Sequence, residues 1–210
     1  MAKQFRSVRA LAEQLINAST SGRRTVVGLA GPPAAGKSWL AENLAQSLVS
    51  RGYSACILPM DGFHLDNSIL EARGLLPRKG SPATFDVLGF IELVQRAKHG
   101  ADDLFVPIFD RHLDRSINAG ALIPQDTQFV IIEGNYLFLD EEPWNQLFEL
   151  FDQRVALTAD FETLKTRLIQ RWLEHGHTQH EATERAMVND IPNAKTVLER
   201  SRIVEWCFES

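Results

Sequence analysis

Short apolar runs alternate along the chain with longer segments whose apolar residues recur at helical spacing. The short runs predict β-strands at 25–30, 54–58, 129–132 and 155–157. The longer segments predict α-helices at 38–50, 86–99 and 161–174. Strands that alternate with helices are joined by crossover connections. The pattern therefore predicts an α/β fold with a mainly parallel sheet and helices on both faces.

Three further segments complete the pattern. Prolines and glycines predict a loop at 75–85, and 108–124 is a polar excursion with some strand character. Residues 1–22 have apolar positions at helical spacing. With 44% hydrophobic residues in 210, the chain can form one domain with an ample core. We expect a single domain over 1–210, with a small helical lid at about 165–185.

Composition limits the classes of function. The net charge is −5 and no run of lysines and arginines stands out, so we expect no nucleic-acid partner. Residues 1–22 lack the unbroken apolar stretch of a signal peptide or membrane span, which favours a cytoplasmic protein with no membrane partner. The two cysteines, Cys56 and Cys207, lie in apolar runs, and we expect buried, reduced thiols rather than a disulfide or metal site.

The strongest local motif lies between the first predicted strand and the helix that follows it. It has the form G-x-x-x-x-G-K-S, which is typical of a phosphate-binding loop. Glycines let backbone N–H groups turn towards phosphate oxygens, and the helix N-terminus adds a positive dipole. Lysine would neutralise phosphate charge, and serine would bind Mg²⁺. The predicted nucleotide-binding residues are Gly31, Pro32, Pro33, Ala34, Ala35, Gly36, Lys37, Ser38 and the adjacent Trp39.

Two acidic residues follow apolar strands. Asp61 comes after the second strand and before Gly62, where a carboxylate could accept the proton of an incoming hydroxyl. Its alternative is a turn residue that caps Gly62. Glu133 ends the third strand and would hold Mg²⁺ directly or through a water, although four apolar residues and an acid also occur by chance.

Arg167 and Arg171 are spaced i, i+4 on the last predicted helix, so they share one face. In a phosphoryl-transfer enzyme this face could close over the nucleotide and act in catalysis. The alternative is an ordinary solvated face. His175, His177 and His180 follow, and we favour a polar lid loop over a zinc site because no cysteine or acid recurs at ligand spacing.

Taken together, the blocks GPPAAGKS, PMDGFH, RKGSPATFD, PIFDR, IIEGNY, RLIQRW and NDIPNA resemble those of the uridine kinase, pantothenate kinase and phosphoribulokinase group. The likeness covers almost the whole chain, and is greatest to bacterial proteins labelled "putative fructose transport system kinases". It implies a three-layer P-loop NTPase fold and often a homodimer. The chain departs from true uridine kinases in its DGFH and EGNY blocks and lacks the extra regions of pantothenate kinases, so neither substrate is assumed.

The resemblance implies an ATP- and Mg²⁺-dependent kinase that phosphorylates a hydroxyl of a small molecule, such as a fructose-like sugar or a nucleoside. By position, Asp61 matches the acid that activates the acceptor, Glu133 the acid near the metal, and the two lid arginines the family's lid. Asn189 and Asn193 lie where a later segment approaches nucleotide or acceptor. The expected catalytic residues are Asp61, Lys37, Arg171 and Arg167, and the expected acceptor-binding residues are Asp61, His64, Asp86, Arg111 and His112.

Two other classes remain open. A GTP-hydrolysing switch protein would share the phosphate-binding loop, but the chain has no N-K-x-D block to read guanine. A nucleotide-binding regulatory protein, or an NTPase without acceptor phosphorylation, could keep every motif named here.

Overall fold

The fold is built on eight strands within the part of the chain that the structure describes. The computed structural model describes residues 2–100 and 102–209, so the first residue of the predicted amphipathic segment lies outside them. The strands are β1 (Lys3–Phe5), β2 (Thr25–Ala30), β3 (Ala55–Pro59), β4 (Leu104–Asp110), β5 (Arg115–Ile123), β6 (Phe129–Gly134), β7 (Gln153–Thr158) and β8 (Trp206–Glu209). Six of them form a parallel sheet in the order β1-β8-β7-β2-β6-β3. The predicted fold class is confirmed.

Helices cover both faces of this sheet. They are α1 (Val8–Ala18), α2 (Lys37–Val49), α3 (Asn67–Ala72), α4 (Val87–His99), α5 (Phe161–Glu174), α6 (Gln179–Arg185) and α7 (Ile191–Arg200). Neighbouring residues of a strand point to opposite faces. Val26 of β2 accordingly packs with Phe90 of α4 in one core, whereas Val27 packs with Leu15 and Leu44 of α1 and α2 in the other.

The central strands explain the near-continuous apolar runs of the sequence. All residues of β2 and β6 are buried, because helices lie above and below them. Bounds observed for the predicted strands and helices agree to within two residues. The short strands β1 and β8 were not predicted as separate strands.

The polar excursion at 108–124 forms most of an antiparallel pair, β4 with β5, outside the main sheet. Gly62 explains how this pair sits against the end of β3. A Cβ atom on Gly62 would lie 2.3 Å from the carbonyl oxygen of Pro107, so only glycine allows β4 to pass so closely.

The segment predicted as a lid contains most of α5 and all of α6. A π-helical turn, Ala186–Asp190, follows α6 and leads into α7. Among the described helices, none is both long enough and apolar enough to cross a bilayer. Cys207 is buried and Cys56 half-buried, and both are free thiols.

Candidate active site

Three strand ends converge at one edge of the sheet. β2, β6 and β3 are neighbours and run parallel, so the residues that follow them lie side by side. The phosphate-binding loop follows β2, Glu133 lies near the end of β6, and Asp61 follows β3. In open α/β sheets, ligands bind beyond the carboxyl ends of the strands.

Backbone geometry in the loop requires glycine at both ends. A Cβ atom on Gly31 would lie 2.8 Å from the carbonyl oxygen of Leu157 in β7, and Gly36 has a left-handed φ of +87°. Gly36 is the N-cap of α2 and makes no side-chain capping hydrogen bond. The Lys37 Nζ atom donates to the carbonyl oxygen of Pro32 at 3.0 Å, so the lysine folds back over the loop. This cradle fits the phosphates of a nucleotide.

Ser38 and Glu133 meet beneath the loop. The Ser38 hydroxyl donates to Glu133 Oε1 at 3.3 Å, and Glu133 is only 8% exposed. Burial raises the pKa of the Glu133 carboxyl, an effect that the ammonium of Lys37 opposes. Burial also disfavours the charged form of Lys37 and so lowers its pKa, an effect that the carboxylates of Glu133 and Asp61 oppose. A hydroxyl and a carboxylate are the oxygen ligands that Mg²⁺ prefers, so the pair fits this ion.

Asp61 lies in a short 3₁₀ turn, Met60–Phe63, directly after β3. Its carboxylate accepts from Arg111 Nη2 at 3.3 Å. Arg111 lies between β4 and β5, and its side chain is 67% exposed. The arrangement favours a carboxylate that faces the site over one that serves the turn.

His64 is held between two phenylalanines. Its ring centroid lies 4.1 Å from that of Phe85 and 4.7 Å from that of Phe109. Nδ1 lies 2.9 Å from the carbonyl oxygen of Asp61. A carbonyl oxygen can only accept, so Nδ1 carries the proton and Nε2 of the neutral ring is an acceptor. Burial lowers the pKa of His64, which favours this neutral form.

A cleft of about 860 Å³ opens beside Asp61. One wall is formed by the loop at 76–80, which we call the acceptor loop, by the end of β4 and by the turn between β4 and β5. The other wall is formed by α5, α6 and the π-helical turn. The cleft is lined by seven of the residues that were predicted to lie at the site, namely Pro33, Asp61, His64, Arg111, Arg171, Asn189 and Asn193.

Both lid arginines have protein contacts. Arg167 Nη1 donates to the carbonyl oxygen of Ala34 in the phosphate-binding loop at 3.4 Å. Arg171 Nη2 pairs with Asp190 Oδ1 at 3.0 Å. The predicted face of α5 therefore lies against the loop and the cleft.

Pro33 is the one residue of the phosphate-binding loop that lines the cleft among the described residues, and Glu133, Arg167, Asp86, His112 and Trp39 also lie outside the lining. Asp86 is exposed and is the N-cap of α4, where its carboxylate accepts from the backbone N–H of Gly89 at 3.1 Å. His112 is exposed in the turn after β4, and Trp39 is 57% exposed on α2. Asp86 thus has a structural task that its place before an apolar helix explains.

Sequence reasoning missed several residues that line the cleft. Lys79 Nζ donates to Asn67 Oδ1 at 2.7 Å and to the carbonyl oxygen of Asp114 at 2.7 Å, and pairs with Asp114 Oδ1 at 2.9 Å. Trp172 Nε1 donates a hydrogen bond to Asp190 Oδ2 at 2.5 Å. The available signals were Lys79 within the RKGSPATFD block and Trp172 beside Arg171, but their partners lie far apart in sequence.

The chain is similar to known proteins over most of its length. It is 38% identical to the protein YggC of Escherichia coli (strain K12) over 183 residues, which cover 86% of this chain and 75% of that one. It is 33% identical over 193 residues to "Putative uridine kinase C227.14" of Schizosaccharomyces pombe, with coverage of 86% and 80%. A crystal structure described as a "putative fructose transport system kinase" from Silicibacter sp. TM1040 superposes with a TM-score of 0.93 at 38% identity, covering 97% and 99%.

The chain belongs to the P-loop kinase group of uridine kinase, pantothenate kinase and phosphoribulokinase. A family model for the methylmalonyl Co-A mutase-associated GTPase MeaB also matches residues 2–67, the part that contains the phosphate-binding loop. That match covers less than half of the chain. Membership of the P-loop small-molecule kinases is therefore the assignment that accounts for both the loop and the cleft.

Proposed function

We propose that this P-loop kinase transfers the γ-phosphoryl group of ATP to a hydroxyl of a neutral small molecule, either a fructose-like sugar or a nucleoside. The observation that carries the proposal is that Asp61, Arg171 and Pro33 of the phosphate-binding loop line one cleft. A nucleotide and a small acceptor could occupy its two halves at once.

The nucleotide half would be held by the loop. Backbone N–H groups at the start of α2 and the Lys37 ammonium bind phosphate oxygens. Ser38 and Glu133 would hold Mg²⁺, which offsets negative charge on the phosphates when it is bound. Arg171 lies on the far wall, where its guanidinium can stabilise charge on the transferring group.

Asp61 would act on the acceptor half. Its carboxylate accepts the proton of the acceptor hydroxyl as that oxygen attacks the γ-phosphorus and the bond to the β-phosphate oxygen breaks. The contact with Arg111 is a single hydrogen bond on an exposed side chain, so the acceptor can displace it. His64 Nε2 can accept a hydrogen bond from a second hydroxyl of the acceptor.

Charge pairing in the cleft favours a neutral acceptor. Four cationic and four acidic side chains line it, namely Lys79, Arg111, Arg171 and Arg185 against Asp61, Asp114, Glu184 and Asp190. The ammonium of Lys79 is already bonded to three protein oxygens, and Arg171 is paired with Asp190. The three donors of the Lys79 ammonium are therefore used within the protein and are not free for a carboxylate or phosphate on the acceptor.

The experiment that tests the proposal is a screen for acceptor-dependent ADP release. Fructose, other neutral sugars and nucleosides would be compared with anionic hydroxy compounds, namely glycerate, pantothenate and sugar phosphates. Each would be tested with ATP and with GTP. We expect turnover with a neutral acceptor and ATP. Turnover only with anionic acceptors would contradict the neutral pocket, and nucleotide binding with no acceptor-dependent turnover would favour a regulatory protein or simple NTPase.

A further inference from the structure

Two walls of the cleft are joined by one segment, the π-helical turn Ala186–Asp190 together with the start of α7. π-Helical turns are rare and frequently occur at functional sites. Here the turn makes side-chain contacts in two directions, one towards α5 of the lid and one towards the acceptor loop.

The contact towards the lid is made by Asp190. This carboxylate is only 8% exposed, and both of its oxygens are used. Oδ1 accepts from Arg171 Nη2 at 3.0 Å, and Oδ2 accepts from Trp172 Nε1 at 2.5 Å. Successive residues of α5 are thus fixed by one buried acid.

The contacts towards the acceptor loop come from neighbouring residues. Asn189 Nδ2 donates to the carbonyl oxygen of Lys79 at 2.8 Å. Arg78 Nη1 donates to the carbonyl oxygen of Val188 at 2.6 Å, and Arg78 Nη2 to Asn193 Oδ1 at 3.4 Å. Asp190 therefore belongs to a segment that is itself anchored, and its carboxylate is a fixed point from which Arg171 can be oriented.

A free arginine side chain samples many rotamers, and ordering it costs free energy. A buried carboxylate that accepts two hydrogen bonds orders the arginine side chain in advance, before the substrates bind. Removing one partner of such a pair leaves a buried charge uncompensated, so the guanidinium would move. The same pair leaves the remaining N–H groups of Arg171 at the wall of the cleft.

We propose that Asp190 is the positioning residue for Arg171: it holds the guanidinium at the cleft wall for the transfer step and does not itself touch the substrates. The inference rests on the proposed function, because it assigns Asp190 a task in phosphoryl transfer. It also assigns the π-helical turn a purpose, which is to fix Asp190 between the lid and the acceptor loop.

The test is a double-mutant cycle on Asp190→Asn and Arg171→Ala. Asparagine keeps the size of the side chain but offers one acceptor oxygen where two are needed. We expect Asp190→Asn to lower kcat about tenfold, while the KM for MgATP changes less than about twofold. In the Arg171→Ala background, Asp190→Asn should lower kcat by less than about twofold, because its effect acts through Arg171.

Glu141→Gln serves as the control, since it breaks an ion pair with Arg200 outside the cleft. It should leave kcat at the wild-type value. Melting temperatures and MgATP affinity are measured for every variant, so that a loss of fold is distinguished from a loss of positioning. Should Asp190→Asn not fold, Asp190→Glu keeps the charge but displaces Arg171, and it takes the place of Asp190→Asn in the cycle.

Equal losses from Asp190→Asn in the presence and absence of Arg171 would overturn the proposal, as would wild-type kcat in the single variant. A wild-type protein that hydrolyses ATP but phosphorylates no acceptor refutes the proposed function alone, and the same cycle is then scored on hydrolysis. A wild-type protein with neither activity overturns both.

Discussion

Lys37 is half-buried at the start of α2 and folds over the phosphate-binding loop. Because it is the loop's only side-chain cation, Lys37→Ala should reduce phosphoryl transfer about a thousandfold or more, equivalent to about 4 kcal/mol of transition-state stabilisation. Steady-state kinetics would measure this, with melting temperature as the check on folding. Lys195→Ala, at an exposed lysine outside the cleft, is the matched control. Near-wild-type turnover in Lys37→Ala would refute the kinase assignment.

Asp61→Asn separates acceptor chemistry from metal binding. Asparagine keeps the size and one acceptor oxygen but loses basicity and charge, so transfer should fall about a hundredfold or more. MgATP affinity should change little, and acceptor-independent hydrolysis should survive better than transfer. Asp66→Asn, the same change at the exposed N-cap of α3, is the control. A parallel fall of both rates and of MgATP affinity would instead place Asp61 in the metal site.

His64 should make the stability of the protein depend on pH. Burial holds its pKa below the ordinary value of 6.5. Between the lowered pKa of the folded protein and the ordinary pKa of the unfolded chain, the unfolded chain binds more protons than the folded one. The free energy of unfolding therefore rises with pH in this range. Stability should therefore fall as the pH is lowered through about 6.5.

The variant His64→Asn tests this, because it removes the titrating ring and offers an amide N–H in place of Nδ1–H. Melting temperatures of the wild-type protein and of His64→Asn are measured from about pH 7.5 to about pH 5, in steps of about half a pH unit. We expect a weaker pH dependence in His64→Asn. Identical curves would mean that His64 does not titrate differently on unfolding.

At the scale of elements, the N-cap of α4 is Asp86, which was also expected to bind the acceptor. Asp86→Ala removes the N-cap and should lower the free energy of unfolding by about 1 kcal/mol, without changing the KM for the acceptor. Asp86→Ser restores a capping oxygen and should recover most of the stability. Chemical denaturation and acceptor kinetics decide between the two roles. A raised KM with unchanged stability would return Asp86 to the substrate site.

The strands also differ in how well they could be predicted from the sequence. β2 and β6 were predictable because strands buried on both faces must be apolar throughout. β1 and β8 have three and four residues, too few to show a period. Some contacts of the site could likewise be predicted from the sequence, and others could not. Ser38 and Glu133 follow from neighbouring strand ends, whereas the pairing of Arg171 with Asp190 depends on how the π-helical turn packs, and no local pattern indicates it.

For the molecule as a whole, stability depends on an edge that joins both ends of the described chain. β8 pairs with β7 on one side and with β1 on the other, and Phe208 is buried in the core shared with α1 and α2. Phe208→Ala should lower the free energy of unfolding by about 3 to 5 kcal/mol. Ile203→Ala, at a residue that is 92% exposed, is the control and should cost almost nothing. A small loss at Phe208 would show that this edge adds little stability.

The pairing of β1 with β8 also sets the order in which the molecule can be assembled on the ribosome. Lys3 is hydrogen-bonded to Glu205, and its register partner is Trp206. At about 5 to 20 residues per second, roughly 10 to 40 s separate the synthesis of β1 from that of β8, its partner strand in the sheet. Once β7 has been synthesised, the edge that β8 covers is also unpaired until β8 follows. Of the described strands, β1 comes first along the chain but can pair only after β8 is made, and until then the nascent chain is open to pairing with other chains.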